Sequence, residues 1–176
     1  YNDYNVCVNQ WYEGKACDPS QYLKVWANYS PVNPLLKDFA NATQAIAYYF
    51  AGQFDLAKPK LETAINSQYL NPYTKALCFE RLTWYDRYDL NKTFLYANKG
   101  LVEIEKLDFP TLTKADLLFR KAQIVGDMGK REDMLQLAEQ LLTLATELGN
   151  DYHIINANNL IGAYYVMLPE SKSISL

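Results

Sequence analysis

Residues 42–65 read ATQAIAYYFAGQFDLAKPKLETAI, and this stretch decides the fold. Small Ala45 and aromatic Tyr48 precede Gly52; Phe54, Ala57, Leu61 and Ala64 follow it at helical spacing. A glycine at that point ends a helix without a Cβ penalty and lets the chain reverse. The stretch therefore predicts two antiparallel helices joined by a tight turn. Alanines sit where the helices cross closely, and large side chains fill the space between.

The same device returns further along. A second turn stands at Gly126-Asp127-Met128-Gly129-Lys130, and another echo is Leu160-Ile161-Gly162-Ala163-Tyr164-Tyr165. A recurrence of about 36 to 41 residues marks an α-solenoid, whose units bury their cores only against neighbours. The pattern divides the chain into a lead-in with a capping helix over residues 1–33 and helical repeats, about three and a half of them, over residues 34–176. Asp18-Pro19 opens the capping helix, which runs to about Tyr29. Further helices are expected over 33–51, 55–67, 71–88, 89–106, 113–128, 130–148 and 151–168. In the 55–67 helix Leu56, Ala57, Leu61, Ala64 and Ile65 are expected inward, with Pro59 in the first turn, where it costs little. No segment alternates with period two over a useful length, so no sheet is expected.

Composition narrows the function classes. The chain has 176 residues, a net charge of -3 and a pI near 5.2. Its 17 Lys and Arg are spread through both halves, so it has no basic block of the kind that tracks phosphates. No run of apolar residues is long enough to span a bilayer. The chain begins without Met, as a mature or excised piece of a longer protein would. Cys7 and Cys17 flank a short Gly-containing loop; a disulfide between them fits an oxidising, extracytoplasmic (periplasmic) compartment, and two free thiols fit a cytoplasmic one. Cys78, alone in a helix, reads as a buried small hydrophobe.

The paired helices resemble the tetratricopeptide repeat family, in its longer, degenerate form found in bacterial regulatory and sensor proteins. The matching residues are Ala45, Tyr48, Phe54, Ala57, Leu61 and Ala64 in the first unit and Ala122, Val125, Gly129, Ala138 and Leu141 in the third. Ile161, Gly162 and Tyr165 match in the last half-unit. The second unit departs: Arg81 falls where a small residue is expected, Trp84 replaces the aromatic, and Thr93 and Gly100 hold the small return-helix positions. The resemblance implies an all-α, right-handed superhelix of antiparallel helix pairs. Its inner curve would be lined by Tyr49, Phe50, Lys75, Tyr85, Asp86, Phe119, Gln123, Asp127, Asn156 and Asn159, an aromatic and polar mixture suited to a peptide groove.

Catalytic signals are thin. His153 is the only histidine and reads as a polar residue at a helix start. No phosphate-binding glycine motif and no CxxC spacing is present. No cofactor, metal or catalytic residue is expected. Many of the 15 tyrosines pack between helices, and the rest suit recognition, offering area and a hydroxyl at small entropic cost. The sequence thus reads as a non-enzymatic module that binds a protein, peptide or ligand, the sensory or interaction region of a larger bacterial signalling regulator. A free-standing adaptor or chaperone is the alternative, and a helical enzyme subunit a more distant one. The last helix carries Ile154, Ile155, Leu160, Ile161, Tyr164, Tyr165, Val166, Met167 and Leu168, too apolar for a capping helix. Its outer flank is expected to be covered by a second copy of the chain or by residues beyond Leu176.

Overall fold

A computed structural model describes residues 33–166, and every regular element among them is an α-helix. They are α1 (Pro34–Phe50), α2 (Phe54–Ala64), α3 (Pro72–Tyr85), α4 (Leu90–Ile104), α5 (Leu112–Asp127), α6 (Arg131–Glu147) and α7 (Asp151–Val166). The expected all-α class is therefore observed, and each helix expected between residues 33 and 166 is present. The capping helix, Cys7 and Cys17 lie outside the described residues. The chain divides into two compact units, with the boundary between Tyr85 and Asp86.

Helix starts follow local chemistry. Asn33 accepts from Leu35 N at 2.9 Å ahead of Pro34. Asp89 accepts from Lys92 N at 3.0 Å, and Thr111 Oγ1 from Lys114 N at 3.1 Å. Each side chain satisfies an amide that the first turn leaves without a backbone partner. Three reversals share one solution. Gly52, Gly129 and Gly149 adopt positive φ of 71°, 78° and 62°. The residue after each donates its N–H back across the helix end, to Tyr48, Val125 and Ala145. That six-to-one bond closes the helix terminus, and the left-handed backbone it needs favours glycine.

In the first unit α1 packs on α2, and both contact α3. Ala42, Ala45, Ala57 and Leu61 are wholly buried at those crossings. In the second unit α5 packs on α4, α6 and α7, and α6 on α7. Ala97, Ala115, Ala122, Ala138, Ala145 and Ala157 have no exposed surface there. Small residues at these positions let helix axes approach closely, and Leu117, Ile124 and Leu141 fill between them. Thr93 and Gly100, which stand where the repeat pattern asks for small residues, are both buried. At Gly126 a Cβ would sit 2.6 Å from Met134 Sδ, so a side chain there would displace the flexible end of Met134.

Two expectations for α2 need correction. Pro59 lies inside the helix, past its first turn, where it removes an amide from the backbone ladder. Leu56 is exposed. The inward stripe runs through Ala57, Leu61 and Ala64, and Leu56 lies beside it, about 100° round the helix from Ala57.

Candidate functional site

The second unit contains a cavity of about 470 Å³. Arg87 and Tyr88 approach from the segment before α4, Arg120, Gln123 and Asp127 from α5, and Arg131 from the start of α6. Ile124, Met134, Leu160 and Ala163 supply the apolar part of the wall. The chain has only four arginines, and three of them line this space. Asp127 is the one carboxylate among the lining residues, so basic side chains outnumber acidic ones in the lining.

Local geometry positions the guanidinium groups. Arg120, Gln123 and Asp127 follow each other at three and four residues along one face of α5. Arg120 is buried, and its Nη1 donates to Gln123 Oε1 at 2.7 Å, which fixes both side chains. Arg87 lies 4.8 Å from the ring centre of Tyr88, and its Nη2 donates to the Tyr88 hydroxyl at 2.9 Å. Tyr88 itself is 85% exposed at the rim. An apolar wall beneath a basic rim with one exposed tyrosine can take a group that is both acidic and greasy.

The first unit gathers a different cluster. Tyr49 stacks edge-on with Phe50, Phe54 and Tyr85, each at 5.6 Å between ring centres. The Arg81 guanidinium lies 5.2 Å from the Tyr49 ring and 4.8 Å from that of Phe50. Arg81 Nε is 2.7 Å from Glu80 Oε2, both side chains are almost fully buried, and Trp84 Nε1 donates to Glu80 Oε1 at 2.8 Å. Burial, then the neighbouring Tyr49 hydroxyl and Asp55, raise the Tyr85 phenol well above its ordinary range. This cluster consumes its own charge.

The residues expected to line one groove are distributed over both units. Tyr49, Phe50 and Tyr85 share the aromatic cluster of the first unit. Lys75 is elsewhere in that unit; its Nζ donates to Ser67 O at 2.9 Å and ties α3 to the preceding connection. Ser67 also donates to Asp38, beside a smaller polar cavity of about 300 Å³ lined by Asn41, Thr63 and Asn66. In the second unit Gln123 and Asp127 do line the large cavity. Asp86 instead pairs with Lys92 at 2.8 Å, and its carbonyl accepts from Thr93 Oγ1 at 2.6 Å, anchoring the start of α4. Phe119 is buried in the core. Asn156 has a buried amide nitrogen with no hydrogen-bond partner among the described residues, and Asn159 is exposed on α7. Stepping one turn back from Gln123 reaches Arg120, so that arginine was within reach of the helical periodicity. Arg87 and Arg131, at helix approaches, carried no such signal.

Two reactive side chains among the described residues, His153 and Cys78, are sealed from solvent. His153 has no exposed surface; its Nδ1 lies 2.7 Å from Asn150 Oδ1 and its Nε2 3.0 Å from Asp116 Oδ1. Asn150 Oδ1 also accepts the His153 backbone N–H at 3.0 Å, so it is an acceptor for the ring as well. The histidine is therefore more than a helix-start residue: it latches α7 to α5. Cys78 is wholly buried, and desolvation pushes its thiol up to about 12 despite the opposing effect of Arg81. Among the described residues no group of three or more His, Cys, Asp and Glu is arranged to hold a metal ion. No described helix is long and apolar enough to cross a membrane.

No family model matches this chain, and no curated protein or solved structure is significantly similar to it.

Proposed function

We propose that this chain is a non-enzymatic binding module of the tetratricopeptide type, and that its second unit seats an acidic, partly apolar segment of a protein partner. The observation that carries this reading is the gathering of three of the four arginines around one cavity with an apolar wall. Guanidinium groups recognise carboxylates through paired, charge-assisted hydrogen bonds. Arginine and tyrosine are also the side chains that most often dominate protein interfaces. The cavity volume falls within the range of small recognition sites, enough for a few side chains and not for a folded surface.

The repeat reading draws support from the packing order. Within each unit, alternate helices touch: α1 meets α3 and α5 meets α7. Stacking of outbound helices is what a superhelix of helix pairs requires. Among the described residues, binding rather than chemistry is the better fit, because the Cys78 thiol and the imidazole of His153 are both closed off. The larger setting, a sensory or interaction region of a bacterial signalling regulator, rests on the form of the repeats alone.

Calorimetric titration with a peptide of alternating Glu and Leu and capped ends, against a Gln and Leu control, tests the reading. The acidic peptide should bind in the micromolar range and weaken as salt rises. Equal binding of both peptides, or of neither, would remove the acidic-segment assignment.

A further inference from the structure

We infer that the outer face of α7 is a homodimer seam, in which two copies of the chain pair their α7 helices antiparallel about a two-fold axis through Asn159. Tyr152, Ile155, Asn159, Gly162 and Val166 are all exposed. Their spacings of three, four, three and four place them in one stripe along the helix. Ile155 is 59% exposed and Val166 86%, and Tyr165 extends the patch along one flank. Over its whole length α7 carries no Lys, Arg or Glu, and its one carboxylate, Asp151, stands at the first position. A helix face meant for water carries charge along its length; this one carries none, and apolar faces of this kind are covered in use.

The order of sizes along the stripe identifies the cover as a second copy. Asn159 is central. One turn before it stands large Ile155, and one turn after it stands Gly162, where a Cβ would meet nothing within 4 Å. Two turns out, Tyr152 on one side answers Val166 on the other. Reversing the helix about Asn159 therefore sets Ile155 of each copy over Gly162 of the other and Tyr152 over Val166. Each bulky side chain faces a small one, twice over, as an isologous interface demands. Glycine lets the axes approach closely there, and ridges then pack into grooves at about 8–10 Å between axes. The paired Asn159 side chains can hydrogen-bond across the axis; a central polar residue of this kind fixes register and partner number. The seam is separate from the arginine-lined cavity, which α7 borders through Leu160 and Ala163.

Sedimentation equilibrium of the full chain tests this. The wild-type chain should dimerise at micromolar concentrations. Gly162→Leu fills the slot that receives Ile155, in open space within its own chain, so the monomer should keep its helical circular dichroism while the dimer Kd rises about tenfold or more. Ile155→Lys should act in the same direction with the fold equally intact. A wild-type chain that stays monomeric to about a hundred micromolar, as it would if residues outside the seam covered this face within one chain, would overturn the inference. So would a dimer whose Kd neither substitution changes.

Discussion

Arg81 on α3 and Arg120 on α5 are both buried, and their neighbours differ in kind. Arg81 has a carboxylate at the preceding residue and aromatic rings against its guanidinium, so the first unit neutralises it internally. Arg120 donates to the Gln123 amide and also lines a cavity that Arg87 and Arg131 border, with Asp127 the one acid among the lining residues. The same side chain thus serves the fold in one unit and a candidate site in the other. What separates the two roles is the open volume beside Arg120, not the residue type.

That contrast can be broken most severely in the first unit. Arg81→Ala leaves Glu80 buried without the guanidinium beside it, and should cost about 3–5 kcal/mol in urea denaturation. A Glu80→Leu, Arg81→Met double substitution should recover most of that loss. If Arg81→Ala were nearly neutral, the pair would not be the closed structural unit described. Cys78, near enough to Arg81 to feel its charge, offers the next largest effect. Because its thiol is raised from 9.0 to about 12, its thiolate at mildly alkaline pH is roughly a thousandfold scarcer than that of an exposed cysteine. Peptide mapping after alkylation should show Cys78 labelled only when the chain unfolds. The sign of the linkage follows: the unfolded thiol ionises first, so stability falls as pH rises from about 9 towards 12.

In the second unit His153 latches α7 to α5. His153→Ala strips Asp116 and Asn150 of their buried partner and opens space, so a loss of about 2–3 kcal/mol is expected. Thermal unfolding of the variant measures it, and a change within experimental error would contradict the latch. The smallest expected effect on stability is at the cavity. Arg131 is exposed at a helix start, and Arg131→Gln should change stability by less than about 0.5 kcal/mol. It should nevertheless weaken binding of the acidic peptide about tenfold, near 1.4 kcal/mol. Equal loss of stability and binding would erase the distinction between the units.

The sequence made the helices legible because each signal was local. Gly52, Gly129 and Gly149 terminate helices through backbone geometry, and Asn33, Asp89 and Thr111 start them through their own side chains. Alanine periodicity then marked the crossings. The candidate site was less legible because it depends on which helix faces meet. Gln123 and Asp127 could be placed on a face of α5, but their union with Arg87 and Arg131 requires the packing of three segments. Asp86 and Lys75, placed in the groove by position, also make contacts that hold a helix in place, which the sequence does not reveal. His153 read as a terminal polar residue since nothing in the sequence reveals Asp116, far away along the chain, as its partner.

The most direct test of the central claim watches all four arginines at once. Their side-chain Nε–Hε signals in isotope-labelled protein can be followed by NMR during titration with the Glu and Leu peptide. The cavity reading predicts that Arg87, Arg120 and Arg131 shift together along one saturation curve while Arg81 stays fixed. An Arg81 signal that moves with the ligand, or cavity arginines that do not respond to it, would contradict the account.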